Sequence, residues 1–315
     1  MSREQLAKLE SGKNYLENYA ALVGEKSSQQ YTKEMEEYNC AYQHWLKSTE
    51  EVKQKDPQAS WKEIHKICGE CPWPQPVGWQ SPFRPNGLHE TMIRRIAPYS
   101  LRGFLYYQGE EDVQRYADYS DMMLMLVKQW RMDWNDWNLP FLFVQLPMYL
   151  ADGEKDDSYW ALQREQQYIA SMMIQNAGMI SLADCGEYDN IHPLDKKTPG
   201  ERLFQLAKNL VYDKQGTITA TAAQLFSDNG KLYVTFDHLH EKLVMQTANG
   251  CPFEISGKDN LFYPAKADVI HGNMLCISNP AVKFPSAVKY AWYNFGEAVL
   301  FTESGNPVSP FFKCV

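Results

Sequence analysis

Three short apolar runs do most to limit the folds open to this 315-residue chain. They read R-G-F-L-Y-Y-Q-G (102–109), L-P-F-L-F-V-Q-L (139–146) and G-M-I-S-L-A-D (178–184). Runs this short and continuous fit strands covered on both faces, as in a parallel sheet. Between the first two, a helical pattern extends from Tyr116 to about Trp134, with Met122, Met125, Leu126 and Trp130 expected on one face. A second helical stretch lies around 158–176, and E-R-L-F-Q-L-A-K-N-L-V-Y (201–212) reads as a third. Strands alternating with helices at this spacing predict an α/β fold with crossover connections.

The flanking regions have other textures. Residues 2–55 carry aromatic and leucine positions at helical spacing, among them Tyr38, Tyr42 and Trp45, and predict one or two amphipathic helices. Ser2 is placed to cap the first. The stretch C-P-W-P-Q-P-V-G-W-Q-S-P-F-R-P-N-G then reads as an extended crossing or loop. From Gly216 onward, short alternating segments such as K-L-Y-V-T-F-D-H-L and A-V-K-Y-A-W-Y-N are separated by Gly, Asn and Asp turns, the pattern of a small all-β sandwich. The expected organisation is an α/β domain over 1–215, with a helical and proline-rich insert at about 1–90, followed by a β-sandwich over 216–315.

A net charge of −8 and no Lys/Arg stripe argue against a nucleic-acid partner. No apolar run approaches a membrane span in length. The opening M-S-R-E-Q-L-A-K-L-E lacks the basic-then-apolar layout of a signal peptide. It reads as cytoplasmic as written, and as secreted or periplasmic if the true start lies upstream. Of the seven cysteines, Cys68 and Cys71 form C-G-E-C just after His65. No second pair stands at comparable spacing, so no metal site is expected, and a loop with thiols or a local disulfide is the simpler reading.

Chemistry concentrates at two strand ends, where open parallel sheets collect functional residues. In E-Y-D-N-I-H-P-L-D-K, Asp189 and His192 have the spacing of a carboxylate that orients an imidazole base. Such a base ordinarily serves a serine or cysteine nucleophile. The run at 102–107 leads into Gln108-Gly109-Glu110, where a side-chain amide and a closely approachable backbone suit an oxyanion hole.

R-G-F-L-Y-Y-Q-G-E-E-D, L-P-F-L-F-V-Q-L, W-A-L-Q-R-E-Q-Q and D-N-I-H-P-L-D-K-K-T-P-G-E-R-L together resemble the sialate O-acetylesterase family of SGNH-type carbohydrate esterases. The resemblance runs over nearly the whole chain, including R-P-N-G-L-H-E-T-M-I and the terminal Y-A-W-Y-N-F-G-E-A-V-L-F-T-E-S-G-N-P-V-S-P-F. It implies an SGNH, flavodoxin-like sheet, an O-acetylated sugar as substrate, and neither metal nor organic cofactor. It also implies Gln108 as the oxyanion-hole amide and Asp189 and His192 as acid and base. Glu110, Asp184, Arg164, Glu165 and Gln166 match recurring positions as site support or substrate contacts.

Two departures stand out. The family pattern Q-G-E-S-N ends here in Glu111-Asp112. The family's serine lies in a G-Q-S-N-like segment upstream of everything that matches here, so the sheet is expected to be incomplete and the nucleophile to be absent from this chain. Ser81, in G-W-Q-S-P-F, sits in the proline-rich stretch, and Ser100 precedes a strand instead of following one. Three readings follow: a fragment of an O-acetyl esterase, one half of a split esterase completed by an N-terminal polypeptide, or a non-catalytic carbohydrate-binding or scaffold remnant.

Overall fold

The computed structural model describes residues 1–247 and 249–315. The chain forms two compact units, one of Met1–Ser100 with Asp121–Trp137 and the other of Leu101–Ser120 with Asn138–Val315. No helix among the described residues is long and apolar enough to cross a membrane.

The first unit is helical. It contains α1 (Arg3–Leu6), α2 (Glu10–Val23), α3 (Ser28–Lys55), α4 (Trp61–Cys68), a π-helical turn at His89–Ile93, α5 (Arg94–Ile96) and the greater part of α6 (Tyr119–Asp133). The Ser2 hydroxyl accepts from the Gln5 amide, as its capping position predicts. Full capping boxes start α3 (Ser27, Gln30) and α4 (Ser60, Glu63) and satisfy amides that a helix start leaves unpaired. Among residues of α3 only Thr49 is buried. Its contact with α4 is an aromatic one, with Tyr38, Tyr42, Trp45 and Trp61 ringed in series at centroid spacings of 5.8, 6.2 and 6.4 Å. In α6 the buried line is Tyr119, Met123, Val127 and Arg131, not the face with Met122 and Met125 expected from sequence. Successive i, i+4 positions share a face, and in a helix this rich in methionine several such lines look equally apolar.

The second unit is built on a parallel sheet in the order β1 (Phe104–Tyr106), β2 (Phe141–Gln145), β3 (Ala177–Ser181). All five residues of the central β2 are buried, as a strand covered on both faces requires. Alternation sends Phe141 and Phe143 to one face, where Phe141 meets Phe104 and Tyr106. Leu142 and Val144 turn to the other, against Ile180 and the Leu203 and Leu206 side chains of α8 (Lys197–Leu210). Each such buried side chain contributes roughly 1.5–3 kcal/mol. The crossover from β2 to β3 is α7 (Tyr159–Met173). On the far side of β1 no strand pairs among the described residues, and Leu105 there is 64% exposed.

The C-terminal part holds two four-stranded antiparallel sheets. One runs β4 (Thr221–Asp228), β5 (Lys231–Asp237), β10 (Met274–Ser278), β9 (Lys266–Ile270); the other runs β13 (Phe311–Cys314), β11 (Ala287–Tyr290), β7 (Phe253–Ser256), β8 (Tyr263–Pro264). A short pair, β12 (Leu300–Thr302) with β6 (Leu243–Met245), completes it. Leu232, Val234, Leu275 and Ile277 of the first sheet share one core with Ile255, Val288, Tyr290 and Phe311 of the second. The fold is therefore α/β with a β region after it. Met148 and Ala183, just past the ends of β2 and β3, belong to the same core, which anchors the carboxyl edge of the parallel sheet to the β region.

Candidate active site

The carboxyl end of β1 delivers Gln108 into a cage of hydrogen bonds. Its carbonyl accepts from the Tyr119 hydroxyl at 3.0 Å and from Gln167 Nε2 at 3.3 Å. Its side-chain Nε2 donates to Asp112 Oδ2 at 2.7 Å, and its Oε1 accepts from the Tyr106 hydroxyl at 3.1 Å. Burial pushes both phenols above their ordinary range, so they remain proton donors. Gly109 follows at φ 144°, a region that favours glycine, and a Cβ there would stand 3.0 Å from the amide nitrogens of Gln163 and Gln167. Glu110 opens a 3-10 helix (Glu110–Asp118), so the acidic run Glu111-Asp112 lies in its first turn.

The end of β3 leads into the second cluster. Asp184 forms a bidentate pair with Arg202 of α8, with both contacts at 2.6 Å. Burial works against the Arg202 cation, but the Asp184 carboxylate outweighs it and holds the guanidinium above its ordinary value. Between them, Cys185 has its thiol pushed up to about 12 by burial first and by Asp184 second. At Gly186 a Cβ would come within 2.0 Å of the Met148 carbonyl, so the two loops touch backbone to backbone where only glycine fits. Asp189 sits at φ 58°, in the left-handed region that Asp and Asn tolerate best among non-glycine residues. Its amide donates to Leu150 O at 3.0 Å, and its Oδ1 accepts from the Asp152 amide at 2.9 Å.

His192 is exposed, and its backbone amide donates to Asn190 Oδ1 at 3.1 Å. Among the described residues its imidazole has no hydrogen-bond partner, and the Asp189 carboxylate does not touch it. What brings the two strand ends together is packing. Tyr107, next to Gln108, and Ile191, next to His192, both rest on the buried cluster of Val113, Leu146 and Trp160.

On α7 the three residues singled out from sequence have separate surroundings. Arg164 is fully buried, with Nη2 donating to the Tyr293 carbonyl and Nη1 to Pro147 O at 3.5 Å; burial brings its pKa down to about 10. Glu165 is half-buried, and its carboxyl is pushed up by burial. Gln166 Oε1 accepts from Ser120 Oγ at 2.7 Å.

Elsewhere, Ser81 is 1% exposed and its Oγ accepts from the Phe83 amide at 3.2 Å, in a local turn, whereas Ser100 is exposed. Cys68 and Cys71 carry free thiols. Among the described residues no group of three or more His, Cys, Asp or Glu is arranged to hold a metal ion.

Residues 76–208 match the family described as carbohydrate esterase, sialic acid-specific acetylesterase. That segment contains Gln108, Asp189 and His192 with their surroundings. Over much of its length the chain is similar to the sialate O-acetylesterases. The mouse (Mus musculus) enzyme of that name is 27% identical over 260 residues, covering 73% of this chain and 47% of its own. The human (Homo sapiens) enzyme is 24% identical and covers 71% and 46%. A crystal structure of a carbohydrate acetylesterase from Xanthomonas citri superposes with a TM-score of 0.67 at 32% identity, covering 72% of this chain and 53% of its own. The resemblance read from sequence is thereby borne out. The chain spans about half the length of the curated relatives it matches.

At the site, sequence reasoning missed Gln167, Gln163 and Tyr119. Gln167 braces the site by accepting from the Leu146 amide at 2.8 Å while donating to Gln108 O, which ties the ends of β1 and β2 together. Gln163 lies one helical turn earlier, fully buried beside Gly109, and its amide has no partner among the described residues. The signal was available in W-A-L-Q-R-E-Q-Q. Gln163 and Gln167 are i, i+4 on the face that meets the sheet, while Gln166 is turned away from it. A His–carboxylate pair in the helical unit also went unread: His89 Nε2 lies 2.7 Å from Asp133 Oδ2, across 44 residues of sequence.

Proposed function

We propose that this chain carries the acid–base and oxyanion half of a carbohydrate O-acetylesterase. The observation that carries the reading is the shared Val113–Leu146–Trp160 cluster, on which the neighbours of Gln108 and of His192 both pack. His192 is the general base, and Asp189 holds its other ring nitrogen through Oδ2, the oxygen that the Asp152 amide leaves free. A serine supplied by polypeptide outside these residues attacks the acetyl carbonyl. His192 takes its proton and returns it to the leaving sugar oxygen. Gln108 and the Gly109 backbone stabilise the tetrahedral oxyanion, and water releases acetate from the acyl-enzyme. The substrate is an O-acetylated sugar, and Asp184, Arg164, Glu165 and Gln166 support the walls of the site. Relative to the side-chain positions described above, the His192 ring rotates toward Asp189 and the Gln108 amide is released by Asp112.

The test completes the site by co-expressing a relative's N-terminal polypeptide that bears the G-Q-S-N segment. The chain alone is expected to turn over p-nitrophenyl acetate little, since a positioned base acting on water contributes only about 10²–10⁴-fold. The completed assembly is expected to be active and to be silenced by a fluorophosphonate and by His192→Ala. Gln108→Ala should cost on the order of 10²–10³ in kcat. An active assembly indifferent to His192→Ala sinks the reading. The Asp112–Gln108 bond favours a second reading, a carbohydrate-binding remnant in which the oxyanion amide is permanently occupied. Failure of every completed assembly to turn over would select it.

A further inference from the structure

Past the ends of β2 and β3 a cleft of about 350 Å³ opens within the second unit. That is the low end of the range for small-molecule sites, roughly 300–1,000 Å³, and suits a single sugar ring. Its floor is apolar, formed by the buried Met148, Ala183 and Phe301, with the half-buried Phe295 as a wall. Phe295 meets Tyr188 edge-on at a centroid distance of 5.6 Å. The cleft wall is therefore continuous with the segment that carries Asp189 and His192. An apolar floor under a polar rim is what a pyranose requires, since its C–H face packs while its hydroxyls bond.

The charge on that rim decides which sugar. Asp184 is neutralised by Arg202 through two contacts of 2.6 Å. Glu297 has no cation beside it among the described residues. Its two oxygens accept from Asn249 N and Nδ2, each at 2.9 Å, and the backbone bond from Asn249 holds the carboxyl below its ordinary range, so it is ionised at neutral pH. The remaining polar groups, the Gln246 amide and the Thr247 hydroxyl, are neutral. The cleft thus offers carboxylates and an amide to sugar hydroxyls, and a net negative charge to anything anionic.

We propose that this cleft is the sugar-binding subsite and that it takes a neutral O-acetylated pyranose while excluding sugars that bear a carboxylate. The choice of ligand class rests on the carbohydrate esterase reading above. The test is binding to the full chain by saturation-transfer NMR titration, with three probes: an O-acetylated methyl glucoside, O-acetyl-N-acetylneuraminic acid, and the methyl ester of that acid. The ester removes the acid's charge and adds a single methyl group. Both neutral probes should bind, the free acid roughly tenfold or more weakly at low salt, with a gap that closes as salt rises. Glu297→Gln should bring the acid close to its ester, and Phe295→Ala should weaken both neutral probes. Acid binding as tightly as ester, no binding of any probe, or a gap unmoved by Glu297→Gln overturns the proposal. Turnover of p-nitrophenyl acetate by the completed assembly judges the esterase reading separately, because that substrate carries no sugar. Turnover without neutral preference removes the subsite alone, and preference without turnover removes the esterase alone.

Discussion

Gln167 offers the most direct access to how the site is held, because its role is measurable in the chain as it stands. Its side chain is fully buried and makes two bonds, accepting from the Leu146 amide at 2.8 Å and donating to Gln108 O at 3.3 Å. Gln167→Met keeps nearly the same volume and removes both. The Leu146 N–H is then left buried without a partner, which costs about 1–3 kcal/mol. Gln108 O keeps the Tyr119 hydroxyl at 3.0 Å, so its loss stays below about 1 kcal/mol. The expected destabilisation is about 1–4 kcal/mol in urea unfolding followed by circular dichroism. The Leu146 amide should exchange with solvent roughly five- to several-hundredfold faster, at a decade per 1.4 kcal/mol. Gln166→Met is the control; that side chain is half-buried with one bond to Ser120, and the cost should stay near 1 kcal/mol or less. If Gln167→Met unfolds within about 0.5 kcal/mol of the parent and Leu146 exchange is unchanged, the brace is not what joins β1 to β2.

Asp112→Ala, in the completed assembly, should free the Gln108 amide and raise kcat several-fold with little change in KM; steady-state kinetics showing a fall in kcat would remove Asp112 as a restraint. With its thiol pushed up to about 12 by burial and Asp184, Cys185 has a thiolate fraction on the order of 10⁻⁴ at pH 8. Its iodoacetamide labelling, followed by mass spectrometry, should therefore lag far behind the exposed Cys40 and climb about tenfold per pH unit to pH 10. A plateau by pH 9 contradicts that environment. Leu105→Glu places a charge on the unpaired edge of β1 and should reduce self-association at high concentration; light scattering indistinguishable from the parent argues against this edge as the contact.

The parallel sheet was legible because β2 is covered on both faces, which writes five consecutive apolar or buried residues into the sequence. The helices α6, α7 and α8 were legible from periodicity, within a few residues at their ends. The buried face of α6 was not, because its methionines and leucines offer more than one apolar line. At the site, Gln108, Asp189 and His192 could be named by motif, but motif spacing says nothing about which oxygen of Asp189 is already taken. The Asp184–Arg202 pair and the Gln167 brace join residues 18 or more apart, and only the folded chain brings them together. For Arg164 the motif left site support and substrate contact both open, and the side chain lies sealed beneath the surface, holding the Tyr293 carbonyl.

Asp189 clasps the loop after β2 with its amide and one carboxylate oxygen, and does so from a backbone conformation few other residues accept. Natural selection therefore reads this position twice. A lineage without acetyl-transfer chemistry would still be penalised for exchanging the aspartate, because the Asp152 amide would lose its acceptor and most replacements would strain the left-handed backbone. His192 has no such second duty: it is exposed, and among the described residues it is tied to the loop through its amide alone. Among descendants of this chain, an intact aspartate records only that the loop still closes. On the proposed esterase reading, survival of the histidine is what records selection for turnover.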